Sequence, residues 1–295
     1  MSFISLNFVV LFACTFILYH TLPSRFRKAT LLTASCLFIG FYHLAFLITA
    51  LILTLTTFYL GKWIGQAKRE SGMKGIYFSG VCFLVVSWLA FRYADRLTNC
   101  HILFPLGISF YTFQAISYLT EIYWQEEEPE KSLPRFMIYM LFFMKFLSGP
   151  IERASDMLPQ LKSCKATDYT SMVYGMRLIV VGLIKKLILA DSIAPYIDGV
   201  FGSVYTASGV QLLMACLLYP IELYADFSGY TDIALGGARM LGFKLSPNFN
   251  RPFIAQTTAD FWPPMAHVAF IRGYATICTS RCPRTCVDGD NGAYF

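Results

Sequence analysis

Four stretches of this 295-residue chain set polar and ionisable side chains among apolar ones. The first, Phe104-Pro-Leu-Gly-Ile-Ser-Phe-Tyr-Thr-Phe-Gln114, offers Ser109, Tyr111 and Gln114. The second, Ser148-Gly-Pro-Ile-Glu-Arg153, runs on to Leu158-Pro-Gln160 and places Glu152 beside Arg153. The third, Tyr224-Ala-Asp-Phe-Ser-Gly-Tyr-Thr-Asp232, supplies Tyr224, Asp226, Ser228, Tyr230 and Asp232. The fourth, Pro247-Asn-Phe-Asn-Arg-Pro252, supplies Asn248, Asn250 and Arg251. Hydroxyls, amides and carboxylates gathered in this way suit the wall of a cavity that receives a polar substrate. A carboxylate at membrane depth costs about 2.5–3.5 kcal/mol on insertion scales. Asp226 and Asp232 therefore face a wet cavity or a cation, with Arg239 and Arg251 as available partners. The plainer alternative is that they end a helix at the water interface and cap it. Glu152–Arg153 has the same two readings, topology marker or cavity wall.

Other chemistries find no support. The chain has no glycine-rich phosphate loop, no serine-hydrolase elbow and no His/Cys cluster with metal spacing. Cys278, Cys282 and Cys286 recur every four residues, whereas zinc sites rely on closer pairs. Neither a metal nor a bound cofactor is expected. His20, His43 and His101 fall at the ends of apolar runs or in loops, where a structural role is the simpler reading.

The elements that must position these residues are membrane helices. Hydrophobic residues are 56% of the chain and charged residues 14%, against about 25% charged in soluble domains. The net charge of +6 is spread in short clusters between apolar runs. That is the pattern of membrane loops and not of a nucleic-acid surface. Cys14, Cys36, Cys82 and Cys216 lie inside apolar runs, where a thiol behaves as a small hydrophobe. The expected order begins with a retained helix at 3–20 and a basic loop with Arg25, Arg27 and Lys28. Residues 29–61 exceed one span and fold as a hairpin turning near Phe41–Ala45. A second basic loop, 61–74, then lies on the same side as the first, which the positive-inside rule makes cytoplasmic. Spans at 75–91 and 133–148 flank a kinked or re-entrant helix at 102–124, since Pro105 and the polar residues after it suit burial among helices. An interfacial amphipathic segment follows at 148–168. Helices at 170–190, with Lys185 and Lys186 snorkelling at an interface, and at 208–225 complete the order. The fold class is an all-α polytopic membrane protein of tilted helices.

Taken in order, the four stretches resemble the membrane-bound O-acyltransferase (MBOAT) family, in particular its bacterial branch of alginate O-acetyltransferases. The resemblance rests on Pro105–Gln114, Ser148-Gly-Pro-Ile-Glu-Arg-Ala154, Asp226-Phe-Ser-Gly-Tyr-Thr-Asp232, Leu241-Gly-Phe243, Asn248-Phe-Asn-Arg-Pro252 and Phe261-Trp262, and covers residues 1–262. It implies a ring of tilted helices around a thinned centre, where a buried histidine promotes transfer of an activated acyl group to a hydroxyl. It further implies an activated acyl donor as cosubstrate and an envelope polysaccharide such as alginate as acceptor. Periplasmic acyltransferase partners and residence in the bacterial inner membrane belong to the same implication. A transporter, which would carry an internal inverted repeat absent from this sequence, and a non-catalytic membrane scaffold are the rival readings.

After Trp262 the likeness stops. The family continues Arg-Arg-Trp-His and later Arg-Asp-Tyr-Leu-Tyr-Ile-Pro-Leu, whereas this chain reads Pro263-Pro-Met-Ala-His-Val-Ala-Phe270. Read one base later, codons for Pro263 to Ile271 can encode Arg-Arg-Trp-His-Met-Ser-Leu-Ser. Read two bases later, codons for Gly273 to Cys282 can encode Leu-Arg-Asp-Tyr-Leu-Tyr-Ile-Pro-Leu. The expectation is a frameshifted, disordered tail at 263–295 after an incomplete MBOAT domain at 1–262. No catalytic residue then stands in the family register. Ala266 occupies the histidine's place, His267 is displaced by one, and the chain as written is expected to be inactive.

Overall fold

The computed structural model describes residues 5–67, 69–98, 107–146, 149–164 and 167–248. The described residues form helices joined by short turns: α1 Leu6–Thr21, α2 Ser24–Gly40, α3 Leu44–Gln66, α4 Glu70–Thr98, α5 Ile108–Tyr123, α6 Leu133–Leu141, α7 Ala154–Ser163, α8 Tyr169–Leu183, α9 Asp191–Gly202 and α10 Gly209–Met240. A π-helical stretch, Ile184–Ala190, links α8 to α9. Residues Met1–Ser246 make one unit. A second begins at Pro247, and of it Pro247 and Asn248 are described. The fourth stretch's Asn250 and Arg251, the tail at 263–295 and His101 lie outside the described residues.

Among the described residues three helical segments are long and apolar enough to cross a bilayer: Leu44–Gln66, Glu70–Tyr93 and Gly209–Met240. The chain is an all-α membrane protein. The expected hairpin is present, since α2 and α3 are joined through Phe41–His43. Its two basic ends therefore lie at the same end of the hairpin. The basic residues expected in the first loop instead ride on the first turns of α2, which begins at Ser24. The second basic loop is largely helical too, because α3 runs to Gln66 and α4 starts at Glu70. The segment expected to be kinked is an unbroken helix from Ile108 to Tyr123, with Pro105 outside the described residues.

The expected span at 133–148 does not form. α6 ends at Leu141 after nine residues, roughly half of what a bilayer requires. The chain continues as turns through Phe146. Phe136, Tyr139, Phe142 and Phe143 are fully buried, so this irregular segment is a central core element and not a lipid-facing helix. Non-helical backbone at membrane depth persists where protein satisfies its polar groups, and two side chains do so here. Ser35 Oγ on α2 accepts from the Phe143 N–H at 3.2 Å. Gln114 Nε2 on α5 donates to the Tyr139 carbonyl at 2.9 Å. Aromatic rings fill the rest: Phe8, Phe38 and Phe143 meet at centroid distances of 5.8–6.4 Å, and Tyr118 packs on Phe136 at 4.6 Å.

The second half of the unit is organised by glycine. A Cβ added at Gly182 would lie 2.6 Å from the Gly229 carbonyl, and one at Gly175 2.7 Å from the Gly236 carbonyl. The backbones of α8 and α10 therefore touch along an antiparallel seam that no larger residue fits. Small residues at such seams allow the close packing that drives helix association in lipid. Outside the seam α10 exposes Leu213, Leu217 and Ile221, as a lipid-contacting face does.

Candidate functional site

The structure gathers the candidate residues into two polar centres. The first surrounds the central irregular segment. Glu152 is 1% exposed and lies in the extended stretch between that segment and α7. Its carboxylate accepts from the Ser246 N–H and, at 3.3 Å, from the Ser246 hydroxyl. Its carbonyl accepts from Tyr139 Oη at 3.0 Å. Gln114 is held by the backbone it satisfies. Tyr111 is 4% exposed and stacks on Phe146 at 5.5 Å. Among the described residues its hydroxyl has no hydrogen-bond partner. Ser109 accepts from Trp88 Nε1 at 3.0 Å, a tie between α4 and α5. Arg153 stands at the N-cap of α7.

Lys145 joins this centre and was not among the sequence candidates. It is 3% exposed, and its ammonium lies 4.4 Å over the Tyr139 ring. Among the described residues that ammonium has no hydrogen-bond partner. A desolvated cation–π contact is worth about 2 kcal/mol, less than the several kcal/mol that burial costs an ion. Burial pushes the Lys145 ammonium well down from the usual lysine range, against the upward pull of the Glu152 charge. Burial likewise raises Glu152, opposed by the Ser246 N–H and by Lys145. A sequence signal did exist: Lys145 is a lone charge inside an apolar run, which by itself marks a functional candidate.

The second centre joins α10 to the π-helical stretch. Lys185 Nζ donates to Asp232 Oδ2 at 2.6 Å and to Ser228 Oγ at 2.9 Å. Lys186 Nζ lies 2.5 Å from Asp226 Oδ1 and 2.7 Å from Asp191 Oδ1. The Lys186 ammonium is also 5.3 Å from the Tyr230 ring centre, and that of Lys185 6.0 Å from the Tyr224 ring centre. Two expectations are corrected here. Asp226 and Asp232 do not end a helix, because α10 runs on to Met240. Their described cations are Lys185 and Lys186, which do not snorkel outward. Arg239 is not their described partner: it lies 5.5 Å from the Tyr174 ring centre. The physical reason is the π turn. Adjacent side chains on a regular helix diverge by about 100°, whereas an i→i+5 turn alters that register and leaves both lysines within reach of α10.

Fold and site together define a membrane protein of helices that encloses a polar centre under a non-helical segment. Residues 125–263 match the model of MBOAT, the membrane-bound O-acyltransferase family. It is 33% identical over 281 residues to the "Probable alginate O-acetylase AlgI" of Azotobacter vinelandii, covering 89% of this chain and 56% of the relative. It is 32% identical to the protein of that name from Pseudomonas aeruginosa, covering 89% and 54%. It is 30% identical to the "Peptidoglycan O-acetyltransferase" of Helicobacter pylori, covering 80% and 52%. The chain thus spans about half the length of the curated relatives it matches.

Proposed function

We propose that this protein acts in O-acyl transfer, carrying an acetyl group from an activated donor to a hydroxyl of an envelope polysaccharide, alginate being the leading candidate. Likeness to a named alginate O-acetylase over 89% of the chain carries this reading. The buried polar centre around Glu152 and Lys145 supports it, since donor and acceptor must meet away from bulk water. The protein would sit in the bacterial inner membrane as a multi-pass protein, with its basic helix ends cytoplasmic, no bound cofactor, and periplasmic partners that deliver the acetyl group to the polymer. We further propose that the residues after Trp262 are read out of frame, so that restoring the frame returns a histidine to position 266.

The test is complementation of an alginate-producing strain that lacks its own O-acetylase, scored by ester content of the polymer. The frame-restored gene is expected to restore acetylation, and the 295-residue chain is not. If neither restores it while the strain's own gene does, the acyl-transfer reading falls. Equal restoration by both would overturn the frame proposal instead.

A further inference from the structure

The fold does not let Lys145 reach the surface. A lysine on a free loop turns its ammonium out to water, but this one is pinned at its backbone. Its N–H donates to the Phe142 carbonyl at 3.0 Å, and its carbonyl accepts from Gly149 at 3.1 Å. The Gly149 backbone presses so close that a Cβ there would lie 2.2 Å from Lys145 Cα. The opposite charge that acts on it, Glu152, has both oxygens engaged by Ser246. The Tyr111 hydroxyl is equally without a hydrogen-bond partner among the described residues, and its ring stacks on Phe146, the residue after Lys145. Buried polar groups are nearly always hydrogen-bonded. A buried ammonium left open in this core therefore points to an acceptor that arrives from outside. Lys145 and Tyr111 are each less than a twentieth exposed, which suits a small acyl group better than a sugar or a lipid headgroup.

We propose that Lys145 donates to the carbonyl oxygen of the small acyl group being transferred, as a catalytic residue. This rests on the acyl-transfer reading above. In the step itself the acceptor hydroxyl oxygen attacks the carbonyl carbon, and the C=O π pair moves onto oxygen, opposite the ammonium. Collapse of that adduct forms the ester and breaks the bond to the donor's leaving group, which carries away the hydroxyl proton. Donors aimed at the developing oxyanion in a water-poor site are worth far more than in bulk water.

The experiment labels the purified 295-residue chain in nanodiscs with acetic anhydride at mildly alkaline pH and follows each lysine by mass spectrometry. Lys74, whose side chain is 50% exposed, is the reference. Lys145 is expected to react in the folded protein, and excess acetate is expected to slow it by about threefold or more, the worth of one modest hydrogen bond, without slowing Lys74. Labelling of Lys145 only after denaturation, or no protection by acetate, overturns the proposal. In the frame-restored protein, Lys145→Met is expected to cut polymer acetylation by about a hundredfold, as loss of an oxyanion donor does. Its melting temperature should be unchanged or higher, since an unpaired buried charge has gone. A melting temperature that falls with the activity marks Lys145 as structural and overturns the proposal. If acetate protects Lys145 while the frame-restored chain transfers nothing, the acyl-group site stands and the transfer reading falls. If that chain transfers and Lys145→Met transfers equally, the reading stands and this inference falls.

Discussion

The two polar centres solve the same problem, charge away from water, in opposite ways. Around α10 each lysine meets carboxylates within 2.5–2.7 Å, and the helix surfaces there are partly open. Around the central segment the charges are more deeply buried, yet Lys145 has no hydrogen-bond partner among the described residues. A satisfied pair asks nothing further of its surroundings, so the α10 network holds helices together. An unsatisfied one is costly by itself and becomes favourable when a ligand supplies the missing group. Burial alone does not separate the two centres; the presence or absence of a close opposite charge does.

The strongest way to break that contrast is to remove one partner from the satisfied centre. Lys185→Met leaves Asp232 on α10 without its closest cation. Stripping one member from a buried pair costs about 3–5 kcal/mol. The lower end applies here, since the two side chains are 27% and 17% exposed. Reversible unfolding in mixed micelles should show that loss, and the double variant Lys185→Met/Asp232→Leu should regain most of it. A single variant as stable as the parent would mean that the network is not structural. The next effect concerns the backbone beneath the first centre. Gln114→Leu leaves the buried Tyr139 carbonyl without its 2.9 Å donor, at a cost of about 1–3 kcal/mol in the same assay. The smallest belongs to Ser228→Ala, which deletes one of the two acceptors of Lys185 while the Asp232 pair remains. About 1 kcal/mol is expected. If that loss exceeds the Lys185→Met effect, the hydroxyl and not the carboxylate anchors the lysine.

How legible these features were in the sequence follows from how local their causes are. The α2–α3 hairpin was readable, because an apolar run too long for one span and a charge pattern favouring one side dictate a turn. α6 was not. The run 133–148 has the composition of a span, and it is irregular because Ser35 and Gln114 satisfy its backbone from 108 and 25 residues away. Composition announces no such long-range partner. The need of Asp226 and Asp232 for cations was legible from cost alone. Which cations they take was not, since that depends on a π turn with no sequence mark. Lys145 could have been found: the same cost argument applies to a lysine in an apolar run, and reading the run as a span hid it. Of the first stretch's candidates, Ser109 and Gln114 serve the scaffold, while Tyr111 keeps its hydroxyl open.

The glycine seam bears on how the protein is made. Lys185 precedes Asp232 by 47 residues, so during synthesis it emerges well before the carboxylate that neutralises it, whereas Lys186 meets Asp191 five residues on. Without α10, α8 and the π-helical stretch after it would carry the Lys185 ammonium without its carboxylate. The seam at Gly175, Gly182, Gly229 and Gly236 is also half-built until α10 arrives. The stretch from Tyr169 to Met240 is therefore a single packing unit, complete in backbone contact and in charge only once α10 lies against α8.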